Sequence, residues 1–226
     1  MIAPIARVLD DAALARVRGL LDAARFGEGA RTAGWHARLV KDNEQADAAD
    51  PAAREAASLV AAALLANPVF RAAALPRRLR PVMFARYAAG RSYGPHVDDA
   101  LMGLDDPAGP LRTDVAVTVF LSPPGDYDGG ALVLDTPGGE MAWRLDAGDA
   151  VAYPATTLHR VAPVERGERL AAITWAQSLV RDPSAREILF DLDAARRAVF
   201  EREGKGAAFD LIAKSHANLL RRWAEP

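Results

Sequence analysis

Residues 93–98 read Tyr-Gly-Pro-His-Val-Asp, and the interpretation of the whole chain starts from this stretch. If the segment is extended, His96 and Asp98 point to the same face of a strand. An imidazole nitrogen and a carboxylate oxygen then converge on one point. Such a pair supplies two of the three ligands of the two-histidine, one-carboxylate facial triad, which binds Fe(II) and leaves positions open for substrate and O2.

The third ligand of such a triad is a histidine, and the chain contains three others, His36, His159 and His216. His159 has the most suitable surroundings, because it opens a predicted strand that follows a Gly148-Asp149 turn and another predicted strand. We interpret His36 as a solvated or hydrogen-bonded strand residue and His216 as a helix residue without a role in metal binding. A His-x-Asp tripeptide alone is weak evidence, because most such tripeptides are surface loops or structural polar groups.

Arg169 follows His159 at a distance that fits a strand, a tight turn and the start of the next strand. We therefore expect the two side chains to come from neighbouring strands. A guanidinium group is planar and permanently charged, so Arg169 is suited to clamping the far carboxylate of a dicarboxylate co-substrate. The alternative is a surface ion pair with Glu165 or Glu168.

Short segments spread along the chain carry a resemblance to a known family. These are Ala74-Leu75-Pro76, Phe84-Ala85-Arg86-Tyr87, Tyr93 to Asp98, Arg112-Thr113-Asp114, Tyr127-Asp128-Gly129-Gly130, Ala147-Gly148-Asp149, Trp175-Ala176-Gln177-Ser178 and Val180-Arg181-Asp182. Over nearly its whole length the chain resembles the iron- and 2-oxoglutarate-dependent dioxygenases and, within them, the bacterial PKHD-type hydroxylases. Two positions depart from the family pattern, because Ala85 replaces an expected Asn and Ala131 an expected Glu.

The resemblance implies a double-stranded β-helix, or jelly roll, of the α+β class. It implies that the catalytic and metal-binding residues are His96, Asp98 and His159, with Fe(II) as the metal. It also implies that Arg169 and Tyr87 bind the co-substrate 2-oxoglutarate and that L-ascorbate keeps the iron reduced. Tyr87 could equally be a core tyrosine with a satisfied hydroxyl group. The implied reaction is a hydroxylation that releases succinate and CO2.

The identity of the substrate stays open at this level. The family name points to a prolyl or lysyl side chain, whereas the link of family members to bacterial iron uptake points to a small molecule such as a siderophore. An alternative function is a cupin-like metal-binding protein, or a sensor of iron and 2-oxoglutarate without a dedicated substrate. Arg169 favours the enzyme, because a simple metal-binding module needs no carboxylate clamp.

Composition limits the remaining function classes. The 226 residues are 50% hydrophobic, which fits one domain with a sizeable core. Because the chain contains no cysteine, disulfides, thiolate metal sites and iron–sulfur clusters are excluded. The net charge of −2 argues against nucleic acid as a partner. The N-terminus lacks a signal-peptide pattern and no apolar run reaches bilayer length, so we expect a cytoplasmic protein without a membrane partner.

Periodicity divides the chain into three parts. Residues 1–78 are expected to carry helices and a first strand at Trp35–Val40, and residues 182–226 a helical extension through which a homodimer could form. Residues 79–181 are expected to form the jelly-roll core, because short strands alternate with Gly and Pro turns at about 8–12-residue spacing. The turn-rich segment Ala100–Gly109, directly after two ligands, is a candidate lid.

Local signals predict where several elements begin. Asp10 and Asp50 are suited to cap helices, the second of which has Pro51 in its first turn. Residues 113–122 alternate in a way that predicts a strand with at least one buried face. Two C-terminal helices are expected on either side of Gly204-Lys205-Gly206.

Overall fold

In the described part of the chain the strands form two large antiparallel sheets and a separate two-stranded sheet, which confirms the α+β jelly roll expected from the sequence. The computed structural model describes residues 1–106 and 109–225. The strands are β1 (Ala3–Ile5), β2 (Phe26–Glu28), β3 (Lys41–Asp42), β4 (Glu44–Ala46), β5 (Pro76–Leu79), β6 (Met83–Ala88), β7 (Ser92–His96), β8 (Leu101–Met102), β9 (Leu111–Arg112), β10 (Val115–Phe120), β11 (Tyr127–Gly129), β12 (Leu132–Thr136), β13 (Gly139–Trp143), β14 (Ala150–Pro154), β15 (His159–Val161) and β16 (Val164–Ser178). The helices are α1 (Asp11–Ala23), α2 (Pro51–Ala66), α3 (Pro68–Ala74), α4 (Pro183–Glu203) and α5 (Ala207–Trp223).

Both large sheets contribute residues to the site. The larger sheet has the order β1-β14-β10-β16-β6-β4-β2, with β5 and β11 also paired to β16. The smaller sheet has the order β13-β12-β15-β7-β3. The segment from β3 to β4 passes from one edge of the small sheet to β6 of the large sheet, so it joins the two layers.

Strand β10 lies at the centre of the core and is buried on both faces. Its odd-numbered residues, including Val117, pack with the helical layer, to which α1 contributes Val17 and α2 contributes Val60. Its even-numbered residues, including Phe120, pack with Leu134 of the small sheet. The predicted alternation is therefore confirmed, and it separates a helix-facing core from a core between the sheets.

The predicted helix starts at Asp10 and Asp50 are confirmed. The Asp10 carboxylate accepts from the Ala13 N–H, and the Asp50 carboxylate accepts from the first amides of α2, where Pro51 is the first helical residue. These bonds satisfy N–H groups that have no partner inside the helix. Because the caps begin α1 and α2 at fixed positions, the apolar stripes of both helices face the large sheet.

The prediction of a first strand at Trp35–Val40 is wrong. The segment is part of a turn-rich region with two short 3-10 helices, Gly29–Thr32 and Ala37–Leu39, and the first strand is β1 at the edge of the large sheet. Trp35 is 76% exposed and Leu39 is 77% exposed, so the large apolar side chains of the segment do not form the buried face that holds a strand in a sheet. His36 correspondingly precedes a 3-10 helix and does not lie in a strand.

The expected lid at Ala100–Gly109 is only partly described. Leu101–Met102 forms β8, which pairs with β9, so the beginning of this segment is a short hairpin arm. The Arg80 guanidinium donates to Asp106 at 3.2 Å. Residues 107 and 108 of the candidate lid lie outside the described residues.

Helices α2 and α3 are separate because Asn67, which lies between them, has an extended backbone and is followed by Pro68, the first residue of α3. The Asn67 side chain accepts from the N–H groups of Val69 and Phe70, so it caps α3. In the described part of the chain, no single helix is long and apolar enough to cross a membrane. The pair α2 and α3 meets those criteria only when taken together across an 80° bend.

A partly buried ion pair attaches the C-terminal end of β16 to the sheet. The Asp114 carboxylate accepts from Arg112 Nε at 2.8 Å, from a second Arg112 nitrogen at 3.0 Å and from the Ser178 N–H at 2.8 Å. Arg112 also lies 3.6 Å from Glu225, beyond the last helix. One carboxylate therefore joins the beginning of β10, the end of β16 and the chain terminus.

We expect Asp114→Ala to lower the free energy of unfolding by about 2 kcal/mol, because it removes the shared acceptor of the Arg112 guanidinium and the Ser178 N–H. Urea denaturation measures the change. Asp128→Ala is the matched control, since Asp128 forms an exposed pair with Arg166 and its loss should change stability little. Equal effects of the two substitutions would contradict this explanation.

Candidate functional site

Three predicted ligands meet at the mouth of the sandwich. His96 is the last residue of β7, His159 is the first residue of β15, and the two are directly opposite in the antiparallel ladder. Asp98 follows β7, and His159 Nε2 lies 3.9 Å from Asp98 Oδ1. One potential ligand atom of each residue lies within 4.8 Å of the other two. Among the described residues, these form the one cluster of three such side chains.

Backbone carbonyls orient both imidazole rings in the same way. His96 Nδ1 lies 2.8 Å from the Gly94 carbonyl oxygen, and His159 Nδ1 lies 2.9 Å from the Thr157 carbonyl oxygen. In a neutral ring, Nδ1 donates its proton to that oxygen, which leaves the Nε2 lone pair free for a metal. The sequence places each carbonyl two residues before its histidine, so the orientation is local.

The electrostatics of the cluster favour neutral imidazoles. Burial, assisted by the neighbouring His159, lowers the pKa of His96 to about 3. Burial also raises the pKa of Asp98, although His159 acts in the opposite direction. Asp98 Oδ2 is buried without a hydrogen-bond partner, and so is the Trp175 indole nitrogen. A cation between the three ligands would stabilise the Asp98 carboxylate, whose burial is otherwise unfavourable.

Arg169 lies inside the cavity and not at the surface. It is 2% exposed, its Nε has no hydrogen-bond partner, and its guanidinium lies 5.3 Å from the Tyr87 ring centre and 5.6 Å from that of Phe120. No described carboxylate lies within ion-pair distance of Arg169. Glu168 forms an ion pair with Arg86 at 3.8 Å instead. The alternative of a surface ion pair between Arg169 and Glu168 is therefore excluded.

The expectation that His159 and Arg169 come from neighbouring strands is wrong. The two strands are consecutive in the chain, but β15 belongs to the small sheet and β16 to the large sheet. Arg169 is paired with Tyr87 of β6, whereas His159 is paired with His96 of β7. The two side chains therefore reach the cavity from opposite walls, which leaves room between them for a ligand.

The cavity and the solvent space at its opening together measure about 800 Å³, and the sequence did not predict one of the cavity walls. Lys41, Asn43 and Gln45 all line it, while the intervening Asp42 and Glu44 face outward and pair with arginines. Side chains that alternate in this way point to opposite faces of an extended chain. Every second residue of the run 41–45 faces the cavity, as in a strand. The sequence did not reveal this alternation because the inward-facing residues are polar and not apolar.

Lys41 brings a second positive charge to the cavity. Its ammonium donates to the Thr32 hydroxyl at 3.2 Å and lies 5.2 Å from the centre of the Tyr93 ring, which stacks on His96 with centroids 3.6 Å apart. Burial lowers the pKa of Lys41 to about 8, while Asp98 acts in the opposite direction. No described carboxylate lies within ion-pair distance of this ammonium.

The other candidate residues lie outside the cluster. His36 and His216 do not belong to it, and His216 is buried on α5, where burial lowers its pKa. Asp99 is exposed at the rim of the cavity, and its backbone carbonyl accepts from the Thr113 hydroxyl. Both histidines and this extra carboxylate therefore lie outside the three-ligand cluster.

The donor set fits the metal and co-substrate that the sequence implies. Two neutral imidazoles and one carboxylate on one side of a point match the ligands that non-haem Fe(II) sites use. A buried guanidinium without a counter-ion matches the need for a carboxylate ligand, because an isolated buried charge is costly. The residues therefore suit both groups.

Two family models match consecutive parts of the chain, and both describe oxygenases or hydroxylases. The 2OG-Fe(II) oxygenase superfamily matches residues 82–177, and the PKHD-type hydroxylase C-terminal domain matches residues 184–225. A PKHD-type hydroxylase of Synechococcus elongatus is 50% identical over 225 residues, which cover 100% of both chains.

Solved structures share the fold at low sequence identity. A prolyl hydroxylase from Trichoplax adhaerens, in complex with a peptide fragment of the hypoxia inducible factor oxygen degradation domain, has a TM-score of 0.57 and 17% identity. The match covers 83% of this chain and 86% of that one. A Pseudomonas putida prolyl-4-hydroxylase has a TM-score of 0.52 and 21% identity, covering 78% and 92% of the two chains. Both support the jelly roll.

We expect His96→Ala to weaken Fe(II) binding by more than about 100-fold, because one of three ligands is lost. Anaerobic titration calorimetry on the purified protein measures the affinity. His36→Ala is the matched control and should bind Fe(II) like the wild type, since His36 lies outside the cluster. If His96→Ala keeps wild-type affinity, the three-ligand assignment is wrong.

Proposed function

The chain belongs to the PKHD-type hydroxylases, a family of 2-oxoglutarate- and Fe(II)-dependent dioxygenases, and from that premise we propose how its cavity works. His96, Asp98 and His159 hold the iron. Arg169 and Tyr87 hold the far carboxylate of 2-oxoglutarate. The observation that supports this proposal is that the buried guanidinium of Arg169 and a cluster of three potential metal ligands line the same cavity.

The bound groups supply the reactivity and the protein supplies position. When bound, Fe(II) and 2-oxoglutarate activate O2, so that one oxygen atom enters a substrate C–H bond and the other leaves in succinate, with release of CO2. His96 and His159 keep their Nε2 atoms directed inward through the carbonyl bonds at Nδ1. Tyr153 and Trp175 form apolar walls that exclude bulk water from the site.

Arg169 orients the co-substrate by electrostatic attraction and geometry. Its guanidinium is held between two aromatic faces, so little side-chain freedom is lost when it binds a carboxylate. Burial raises the pKa of Tyr87, which keeps its hydroxyl protonated and able to donate to the same carboxylate. Two donors of different shape thus select a dicarboxylic keto acid.

Lys41 indicates which kind of substrate the cavity accepts. The charges of Fe(II) and Arg169 are balanced by Asp98 and the two carboxylates of 2-oxoglutarate, which leaves the Lys41 ammonium inside the cavity and the solvent-exposed carboxylate of Asp99 at its rim. A lysyl substrate would bring a second ammonium close to Lys41 at a cost in Coulomb energy. We therefore favour a substrate with an anionic group, such as an acidic small molecule of the siderophore type connected with iron uptake, over a lysyl side chain.

We also propose a reductant, a cellular compartment and an oligomeric state for this enzyme. L-ascorbate returns iron that was oxidised without substrate turnover to the Fe(II) state. The enzyme works in the cytoplasm, where reducing conditions favour Fe(II). Two copies associate through the C-terminal helices, whose exposed apolar residues include Phe200 and Leu211.

Oxygen-dependent succinate formation tests the co-substrate assignment. We expect Arg169→Ala to raise the KM for 2-oxoglutarate by roughly 100-fold or more, because a buried partner of a carboxylate is removed. Arg166→Ala, on the same strand but paired with Asp128 at the surface, is the control and should leave KM unchanged. Wild-type protein that forms no succinate from 2-oxoglutarate and O2 would refute the proposed reaction.

Matched probes of opposite charge test the substrate class. With Mn(II) and saturating 2-oxoglutarate bound, we expect paramagnetic relaxation of benzoate protons to exceed that of benzylamine protons about tenfold, because Lys41 attracts one probe and repels the other. Lys41→Met should abolish the preference, and Lys41→Arg should retain it. Equal relaxation of the two probes by the wild type would contradict an anionic substrate.

A further inference from the structure

The amide of Asn43 is the one buried side chain on the wall formed by Lys41, Asn43 and Gln45 that has no partner at either end. Asn43 is 2% exposed, it lines the cavity, and neither Oδ1 nor Nδ2 forms a hydrogen bond in the described part of the protein. Buried polar groups are paired in more than about 90% of cases, because an unpaired one keeps its full desolvation cost. An orphan amide in a cavity therefore points to a ligand.

The neighbouring amide behaves differently. Gln45, two residues along the same face, is 7% exposed, and its side-chain oxygen accepts from the Thr32 hydroxyl. Lys41 donates to the same hydroxyl oxygen. Thr32 therefore satisfies both neighbours of Asn43 and leaves only the central amide without a partner.

Asn43 is close to the end of the cavity where Arg169 lies. The Asn43 side chain lies close to the Tyr87 hydroxyl without forming a hydrogen bond to it, and its proximity partly offsets the effect of burial on the pKa of Tyr87. Arg169 lies on the other side of the same residue, since it is the cross-strand partner of Tyr87 and covers its ring at 5.3 Å. Two unpaired nitrogen donors, Asn43 Nδ2 and Arg169 Nε, thus flank Tyr87.

Gly29 sets the position of the Asn43 amide. The Gly29 N–H donates to the Asn43 backbone carbonyl at 2.8 Å, and a Cβ at residue 29 would lie 1.8 Å from Asn43 Oδ1. Any side chain there would push the amide away from its present place. Glycine at this position is explained by that close approach, because its φ lies outside the left-handed region.

We propose that Asn43 binds 2-oxoglutarate, with its Nδ2 donating to the distal carboxylate that Arg169 clamps and Gly29 leaving the space for the amide. The inference rests on the proposed function, because it assumes that Arg169 receives this carboxylate. An amide beside a guanidinium adds a neutral donor and confines the carboxylate to one orientation. It also relieves the desolvation cost of the orphan amide when the ligand binds.

Equilibrium binding of 2-oxoglutarate to the full-length Mn(II)-loaded protein tests the inference without turnover. By calorimetry we expect Asn43→Ala to raise Kd about tenfold, which corresponds to about 1.4 kcal/mol. Asn43→Asp should raise it further, because the new carboxylate repels the ligand and competes for Arg169. Gln45→Ala is the matched control and should stay within about twofold of the wild type, since its amide oxygen is already occupied.

Two comparisons separate ligand binding from a purely structural effect. 2-Oxobutanoate lacks the distal carboxylate, so Asn43→Ala should not change its affinity. Gly29→Ala should weaken 2-oxoglutarate binding in the wild type but not in an Asn43→Ala background, because it acts through the Asn43 amide. If Asn43→Ala does not fold, Asn43→Leu, which keeps the volume without the donor, takes its place with the same expected loss.

The possible failures can be told apart. Wild-type protein that does not bind 2-oxoglutarate would overturn the proposed function itself. Wild-type protein that binds it, together with Asn43→Ala of unchanged Kd and a weakened Arg169→Ala, would overturn only the role of Asn43. If Asn43→Ala loses affinity for 2-oxoglutarate and for 2-oxobutanoate equally, the proposed contact between Asn43 and the distal carboxylate is wrong.

Discussion

The antiparallel pairing of β7 with β15 sets His159 directly opposite His96, and the arrangement of the site depends on this register. A slip of one residue would turn one imidazole to the other face of the small sheet, because side chains alternate along a strand. The register is supported by the apolar contacts of Leu132 and Leu134 on the adjacent β12. The cluster of His96, Asp98 and His159 is thus a product of core packing as well as of the local sequence.

Charges buried for function impose a cost on the folded protein. Arg169 and the Asp98 carboxylate are held in the cavity with few partners, and each such group costs several kcal/mol when it is unpaired. The large sheet compensates with extensive apolar burial along β10 and β16. A cation at the ligand cluster and a dicarboxylate at the guanidinium would each neutralise one of these charges, so ligand binding and stability are coupled.

Local patterns were read well from the sequence, and contacts between distant segments were not. The sequence predicts that His96 and Asp98 lie on the same face, because residues two apart in an extended chain point the same way. Asp50 followed by Pro51 is typical of a helix N-terminus. The opposite walls that carry His159 and Arg169 follow from sheet order, which no local pattern encodes. The prediction of a strand at Trp35–Val40 was wrong because the large apolar residues there are exposed. The inward face of 41–45 was missed because it is polar, and apolar periodicity is the usual guide.

The segment that carries Asn43 also ends both sheets at one side. Beyond it the large sheet finishes with β2, three residues long, and the small sheet finishes with β3, two residues long. Such short terminal strands offer few free N–H and C=O groups to a strand from another molecule. Detachment of this single segment would uncover β6 and β7 together, so damage here would combine loss of chemistry with a tendency to aggregate.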